Sequence, residues 1–201
     1  MTTNTEIANT HFETAAANRN SLLQTASTFA AVLLTGLFTG FLITVLVLEA
    51  SLRSYGAGVY TQVRLVELEH LDDLATALLP AAILASLALT LTIIHRSASG
   101  RWLGLTAVLL LLATLAISVA ISVPINTEQH NWSVLAPPGD WSAVRDRWQL
   151  AHVARTSTAA LAFVLLTAIA IPLRRPSAHG RSGSGSPMTT PYPWSRKEAN
   201  P

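Results

Sequence analysis

The chain has 201 residues, half of them apolar and 12% charged, with a formal net charge of +2 and no cysteine. Soluble domains carry about 25% charged residues, so this chain lacks the polar surface of one. Without thiols, disulfide frameworks, thiolate metal sites, iron–sulfur clusters and Cys-x-x-Cys relays are excluded, and the small charge with no basic cluster argues against a nucleic-acid partner.

The hydrophobicity falls in four blocks. Residues 1–28 come first and are polar, with Glu6, Glu13 and Arg19. They read as a polar tail, because a signal peptide pairs a basic start with a short apolar run. The first block runs from Phe29 to Leu48 and ends at Glu49. Its Gly36 and Gly40 form a small-xxx-small pair, which packs helices closely. Such packing occurs within one chain or between two copies in a homo-oligomer.

The second block runs from Leu74 to Ile94, after an acidic stretch from Glu67 to Asp73, with Pro80 near its start. A turn from His95 to Arg101 leads to the third block, Trp102 to Val123, which stops at Pro124. The fourth runs from Ala151 to Leu173, before Arg174 and Arg175. Each block suits a helix crossing roughly 30 Å of hydrocarbon at about 1.5 Å per residue. Runs this continuous are not barrel strands. The expected fold is therefore all-α: a four-helix transmembrane bundle over 29–173, in a lipid bilayer. The Pro-, Ser- and Gly-rich segment 174–201 is expected to be disordered.

The segments Glu49–Asp73 and Pro124–Leu150 read as two long loops on one face. The termini and the short turn lie on the other. That second face holds Arg19, Arg96, Arg101, Arg174, Arg175, Arg181, Arg196 and Lys197. The long-loop face holds Arg53, Arg64, Arg145, Arg147 and Arg155. The bias favours cytoplasmic termini and outward loops in a cell membrane.

Ionisable groups near membrane depth need a reason. Trp141, Arg145, Trp148, His152 and Arg155 are spaced by four, three, four and three, so they share one face of a helix expected to start near Asp140. This stripe reads either as a pocket wall or as an interfacial belt with snorkelling arginines. Glu67-x-x-His70 has the spacing that carboxylate bundles use for metal, and it also suits a solvated segment with Glu69, Asp72 and Asp73. Glu49 closes the first span, where it opposes the helix dipole; Arg155, Arg147 or a metal would compensate it. Pro124 is expected to end the third span and Asn126 to brace the following turn. Glu128 and His130 follow as lesser candidates, and His95 reads as interfacial.

One Glu and two His suit non-haem iron or copper. The same residues without metal could bind a phenolate and move a proton. His70 and His152 would also suffice as axial ligands of a haem.

Ser122-Val123-Pro124-Ile125-Asn126, followed by Trp141, Arg145, Arg147-Trp148, His152 and Arg155, resembles the signature of the anthrone oxygenase-like family. These are small four-span membrane proteins, many of unknown function. The stretch Thr35-Gly36-Leu37-Phe38-Thr39-Gly40-Phe41 also resembles the family's opening helix, and together the likeness covers roughly residues 30 to 172. Members often carry Asn where this chain has Ser122, and the acids at Glu49 and Glu67 to Asp73 are stronger here. Some members oxidise anthrones to anthraquinones in polyketide pathways. The resemblance thus implies a membrane oxidoreductase acting with O₂ on an anthrone- or phenol-like natural product. By resemblance, Asn126, Arg147, Trp148, His152 and Arg155 form the site.

In the resulting scheme His152, Arg155, Asn126 and Arg147 are catalytic, with Arg155 stabilising negative charge. Trp148, Trp141 and Arg145 bind the aromatic substrate. His70, His152 and Glu49, with Glu67 in support, are candidate metal ligands; a cofactor-free reaction is the other route. The competing expectation is a non-catalytic membrane protein, a small-molecule binder or an export or assembly accessory, in which the same stripe is an interface.

Overall fold

The computed structural model describes the backbone of residues 3–171 and the side chains of residues 18–171. The segment expected to be disordered, 174–201, lies outside the described residues. Helix α1 spans Thr3–Leu52, α2 Ala57–Ile93 and α3 Ala98–Ile117. A π-helical segment, Ser118–Ser122, joins α3 to the short α4, Val123–Gln129, and α5 spans Trp141–Ala170. The expected all-α fold is present, with four helical stretches long and apolar enough to cross a membrane. Leu84, Leu91, Leu109 and Val164 are exposed on its outside. Such an apolar exterior needs lipid as its solvent.

Helix α1 packs on α2 and α5, and α3 packs on the same two neighbours. The membrane core joins Phe38 and Leu42 of α1, Leu79, Ala82 and Leu89 of α2, Leu111 of α3 and Leu166 of α5. Gly36 lies against α5: a Cβ there would sit 2.9 Å from Phe163 Cε2, whereas one on Gly40 would meet nothing within 4 Å. Half of the small-residue pair is therefore used inside the chain. A second apolar cluster caps the long-loop end, formed by Val45, Leu52, Tyr60, Ile125, Trp132, Val144 and Trp148.

Three boundaries differ from the sequence reading, each for a physical reason. The first long connection is mostly helical. Only residues 53–56 link α1 to α2, because Tyr60, Thr61, Arg64, Glu67 and Leu68 form one buried face that extends the helix. Pro80 consequently lies inside α2 rather than near its start. The third span does not stop at Pro124. The π segment just ahead of it lets Val123 N–H bond the Ser118 carbonyl, five residues back. A widened turn accommodates a residue with no N–H, and the chain stays helical to Gln129. On the fourth helix the expected start holds, with Asp140 at the N-cap.

Candidate functional site

The long-loop end of the bundle gathers charge into its interior. Arg64, from α2, is 3% exposed and forms the centre. Its Nε donates to Gln129 Oε1 at 2.8 Å, and Nη2 donates to Asn126 Oδ1 at 2.7 Å. Its Nη1 donates to Glu67 Oε2 at 2.8 Å and lies 3.7 Å from Glu49 Oε1. Two buried carboxylates thus converge on one guanidinium nitrogen. Glu49, 0% exposed, also accepts from Gln149 Nε2 at 3.0 Å. Its compensating cation is Arg64, in place of the Arg155 or Arg147 that the sequence suggested.

Asn126 is a hub within α4 rather than a turn brace. Its Oδ1 accepts from both Arg64 and Trp148 Nε1, each at 2.7 Å. Its Nδ2 donates to Asp72 Oδ1 and Oδ2 at 3.1 and 3.0 Å. A carboxamide does this because one end only accepts and the other only donates. Asn126 therefore ties α2, α4 and α5 into one network.

The stripe on α5 faces inward as its spacing requires. Trp148 stacks on His152 with centroids 4.8 Å apart, and the Arg64 Cζ sits 3.9 Å from the Trp148 ring centroid. Its ring is thus engaged by protein. His152 is fully buried, and its Nδ1 receives hydrogen bonds from Arg155 Nε at 3.1 Å and Nη2 at 2.8 Å. Because a guanidinium only donates, Nδ1 must accept; the proton then belongs on Nε2, which donates to the Leu42 carbonyl at 2.9 Å. Trp141 and Arg145 stand higher, in the cap. Trp141 packs on Tyr60 with centroids 5.5 Å apart, and the Arg145 Cζ lies 4.9 Å from the Trp141 centroid.

A cavity of about 250 Å³ opens beside this network. Its apolar walls include Phe38, Leu79, Pro80, Leu115 and Val119; its polar residues include Asp72, Ser122, Asn126 and Arg155. Arg155 spends Nε and Nη2 on His152, and its Nη1 has no hydrogen-bond partner among the described residues. At this end of the bundle one cationic and one anionic side chain therefore border the same apolar space.

The structure brings together Asn126, Trp148, His152, Arg155, Glu49 and Glu67, all from the sequence reading. It does not bring in Arg147, which is exposed and borders a groove on the outer surface with Pro124 and Leu150. His70 is also exposed, within the first half of α2 rather than ahead of it. Among the described residues no three His, Asp or Glu side chains are grouped to hold a metal ion. Arg64, Gln129 and Asp72 were missed. Arg64 and Glu67, three apart on a helical face with Tyr60, carried the available signal.

Fold and site together define a four-span membrane protein with a buried polar network at one end. The family resemblance is borne out over residues 70–165, which match the model of the anthrone oxygenase family and include Asp72, Asn126, Trp148, His152 and Arg155; the opening-helix likeness at Thr35 to Phe41 lies outside that match. No curated protein and no solved structure matches the chain.

Proposed function

We propose that the cavity binds an oxygen-bearing planar aromatic molecule of the anthrone kind and supports its oxidation by O₂. One observation carries the reading: Arg155 and Asp72 border the same largely apolar cavity. The family match over residues 70–165 supports it. An apolar cavity of about 250 Å³ suits a small flat molecule.

Asp72 takes the proton from the ring carbon opposite the anthrone carbonyl, held in place by the Asn126 carboxamide. Arg155 stabilises the negative charge that then develops on the oxygen, in a site where preorganised charge acts strongly. The electron-rich carbanion adds O₂, Asp72 returns its proton to give a carbon-bound hydroperoxide, and loss of hydroxide from that peroxide with the remaining hydrogen on the same carbon gives the quinone and water. Anthrone and O₂ thus give anthraquinone and water. The donors favour this cofactor-free route over copper, iron or haem. Both nitrogens of His152 are engaged by protein groups, and Glu49 and Glu67 are directed at Arg64, which leaves these side chains committed within the protein. The basic-residue bias supports a cell-membrane orientation with this end outward.

The test uses purified protein in lipid nanodiscs, with anthrone, following oxygen uptake and anthraquinone absorbance against empty discs. Asp72→Asn and Arg155→Met are each expected to lower kcat/KM by roughly a hundredfold or more. A wild-type rate equal to that of empty discs would reject catalysis and leave a binder. Stoichiometric copper or iron in the active protein would reject the cofactor-free route.

A further inference from the structure

A hydroxyl in a membrane helix normally bonds its own backbone, since lipid offers it nothing. Thr90, Thr114, Ser118 and Thr127 follow this rule, each donating to the carbonyl four residues back at 2.8 to 3.0 Å. Ser122 does not. It is 1% exposed, and its Oγ has no partner among the described residues. Ser122 closes the π segment, where Val123 N–H bonds the Ser118 carbonyl, and in that widened turn the Ser122 hydroxyl makes no bond to the carbonyl four residues back.

Ser122 lines the cavity that Asp72, Asn126 and Arg155 also border. Thr35, Thr39, Thr61 and Ser86 have unpartnered hydroxyls too, but none of them lines this cavity. An unpaired buried hydroxyl is costly unless something beyond the chain completes it. The neighbouring groups are restricted: a guanidinium only donates and a carboxylate only accepts, whereas a hydroxyl does either.

We propose that Ser122 is the specificity-determining residue of this cavity, its hydroxyl bonding an oxygen substituent of the aromatic ligand. The inference deepens the reading above and rests on it. It makes Ser122, beside Arg155, a group that separates oxygenated rings from hydrocarbon rings of the same shape, because a site with an unmet polar group discriminates against ligands that cannot meet it.

Anthrone and 9,10-dihydroanthracene share a tricyclic frame and differ in the carbonyl oxygen. Their affinities for the full chain in nanodiscs are read from quenching of tryptophan fluorescence, Trp148 being bonded to the cavity residue Asn126. Wild-type protein is expected to prefer anthrone. Ser122→Ala should weaken anthrone binding by about tenfold and leave 9,10-dihydroanthracene unchanged. Ser122→Thr, which keeps the hydroxyl, should retain the wild-type preference. The proposal is overturned if wild type binds both probes alike, if Ser122→Ala leaves anthrone unaffected, or if it weakens both equally. Absence of oxygen uptake alongside the expected affinities counts against oxidation alone and leaves the Ser122 assignment standing.

Discussion

The two ends of this bundle solve opposite problems. At the short-turn end, Leu89, Ile93, Ala107 and Leu111 pack as a plain apolar core. There α2 and α3 approach so closely that a Cβ on Gly104 would sit 2.7 Å from Thr90 Oγ1. The polar bonds there are local: Thr90 bonds Ser86 O, and Ser97 caps α3 by accepting from Gly100 N. At the long-loop end, Arg64, Glu49, Glu67, His152 and Arg155 are buried among aromatic rings. Burying charge costs more than burying leucine, even when the charges are paired. One end therefore shows what the fold needs to stand. The other shows what it carries in addition, and that surplus lies where the proposed site is.

The largest effect that tests this contrast is removal of Arg64. Arg64→Met leaves Glu49 and Glu67 buried against each other without their shared cation. The expected cost is about 3–5 kcal/mol, the loss typical of breaking a buried pair by removing one partner, read as a lowered Tm of the detergent-solubilised protein. Glu67→Gln should cost less, since Arg64 then still faces Glu49, 3.7 Å away. The reverse order would mean that Arg64 is not the centre of the network.

Much of this contrast was legible in the sequence. Four apolar blocks of spanning length, three of them without charge, leave little choice of fold, and the four-three-four-three spacing of Trp141, Arg145, Trp148, His152 and Arg155 does place them on one inward face. That same spacing held a warning about Arg147. Two residues past Arg145, it stands about 200° around the helix, and the structure leaves it exposed. Arg64 was missed because a charged stretch between apolar blocks reads as a loop. Its helical character rests on tertiary partners, Gln129 and Asn126, which lie more than sixty positions away. Asp72 was passed over among acids for the same reason: only the fold brings it to Asn126. The π segment has no sequence signature beyond Pro124 itself.

A smaller effect belongs to the packing side of the comparison. Gly36 touches Phe163 so closely that an added Cβ would fall 2.9 Å from Cε2, while Gly40 has open space. Gly36→Ala must push the Phe163 ring aside, an overpacking cost of about 1–3 kcal/mol. Gly40→Ala should cost nothing and stabilise by up to about 1 kcal/mol, because Ala favours a helix interior over Gly and meets nothing there. Thermal unfolding of the two variants side by side reads the difference. Equal losses would point to a partner covering Gly40, and the pair would then act between chains as well as within one.

The smallest effect is expected at the rim of the polar end. Arg53 pairs with Asp146 at 3.0 Å, with both side chains about half exposed. Exposed pairs of this kind contribute roughly 0–1 kcal/mol, so Arg53→Ala should barely move the Tm. Yet Arg53 also donates to Gln149 Oε1, and Gln149 in turn holds the Glu49 carboxylate. If the polar network ends at Glu49, losing Arg53 lets water replace the outer hydrogen bond, and Gln149 keeps its place. If the network extends outward, Gln149 loosens and Arg53→Ala costs more than Gly36→Ala. That outcome would move the boundary between rim and buried site by one residue, making Arg53 part of what holds Glu49 against Arg64.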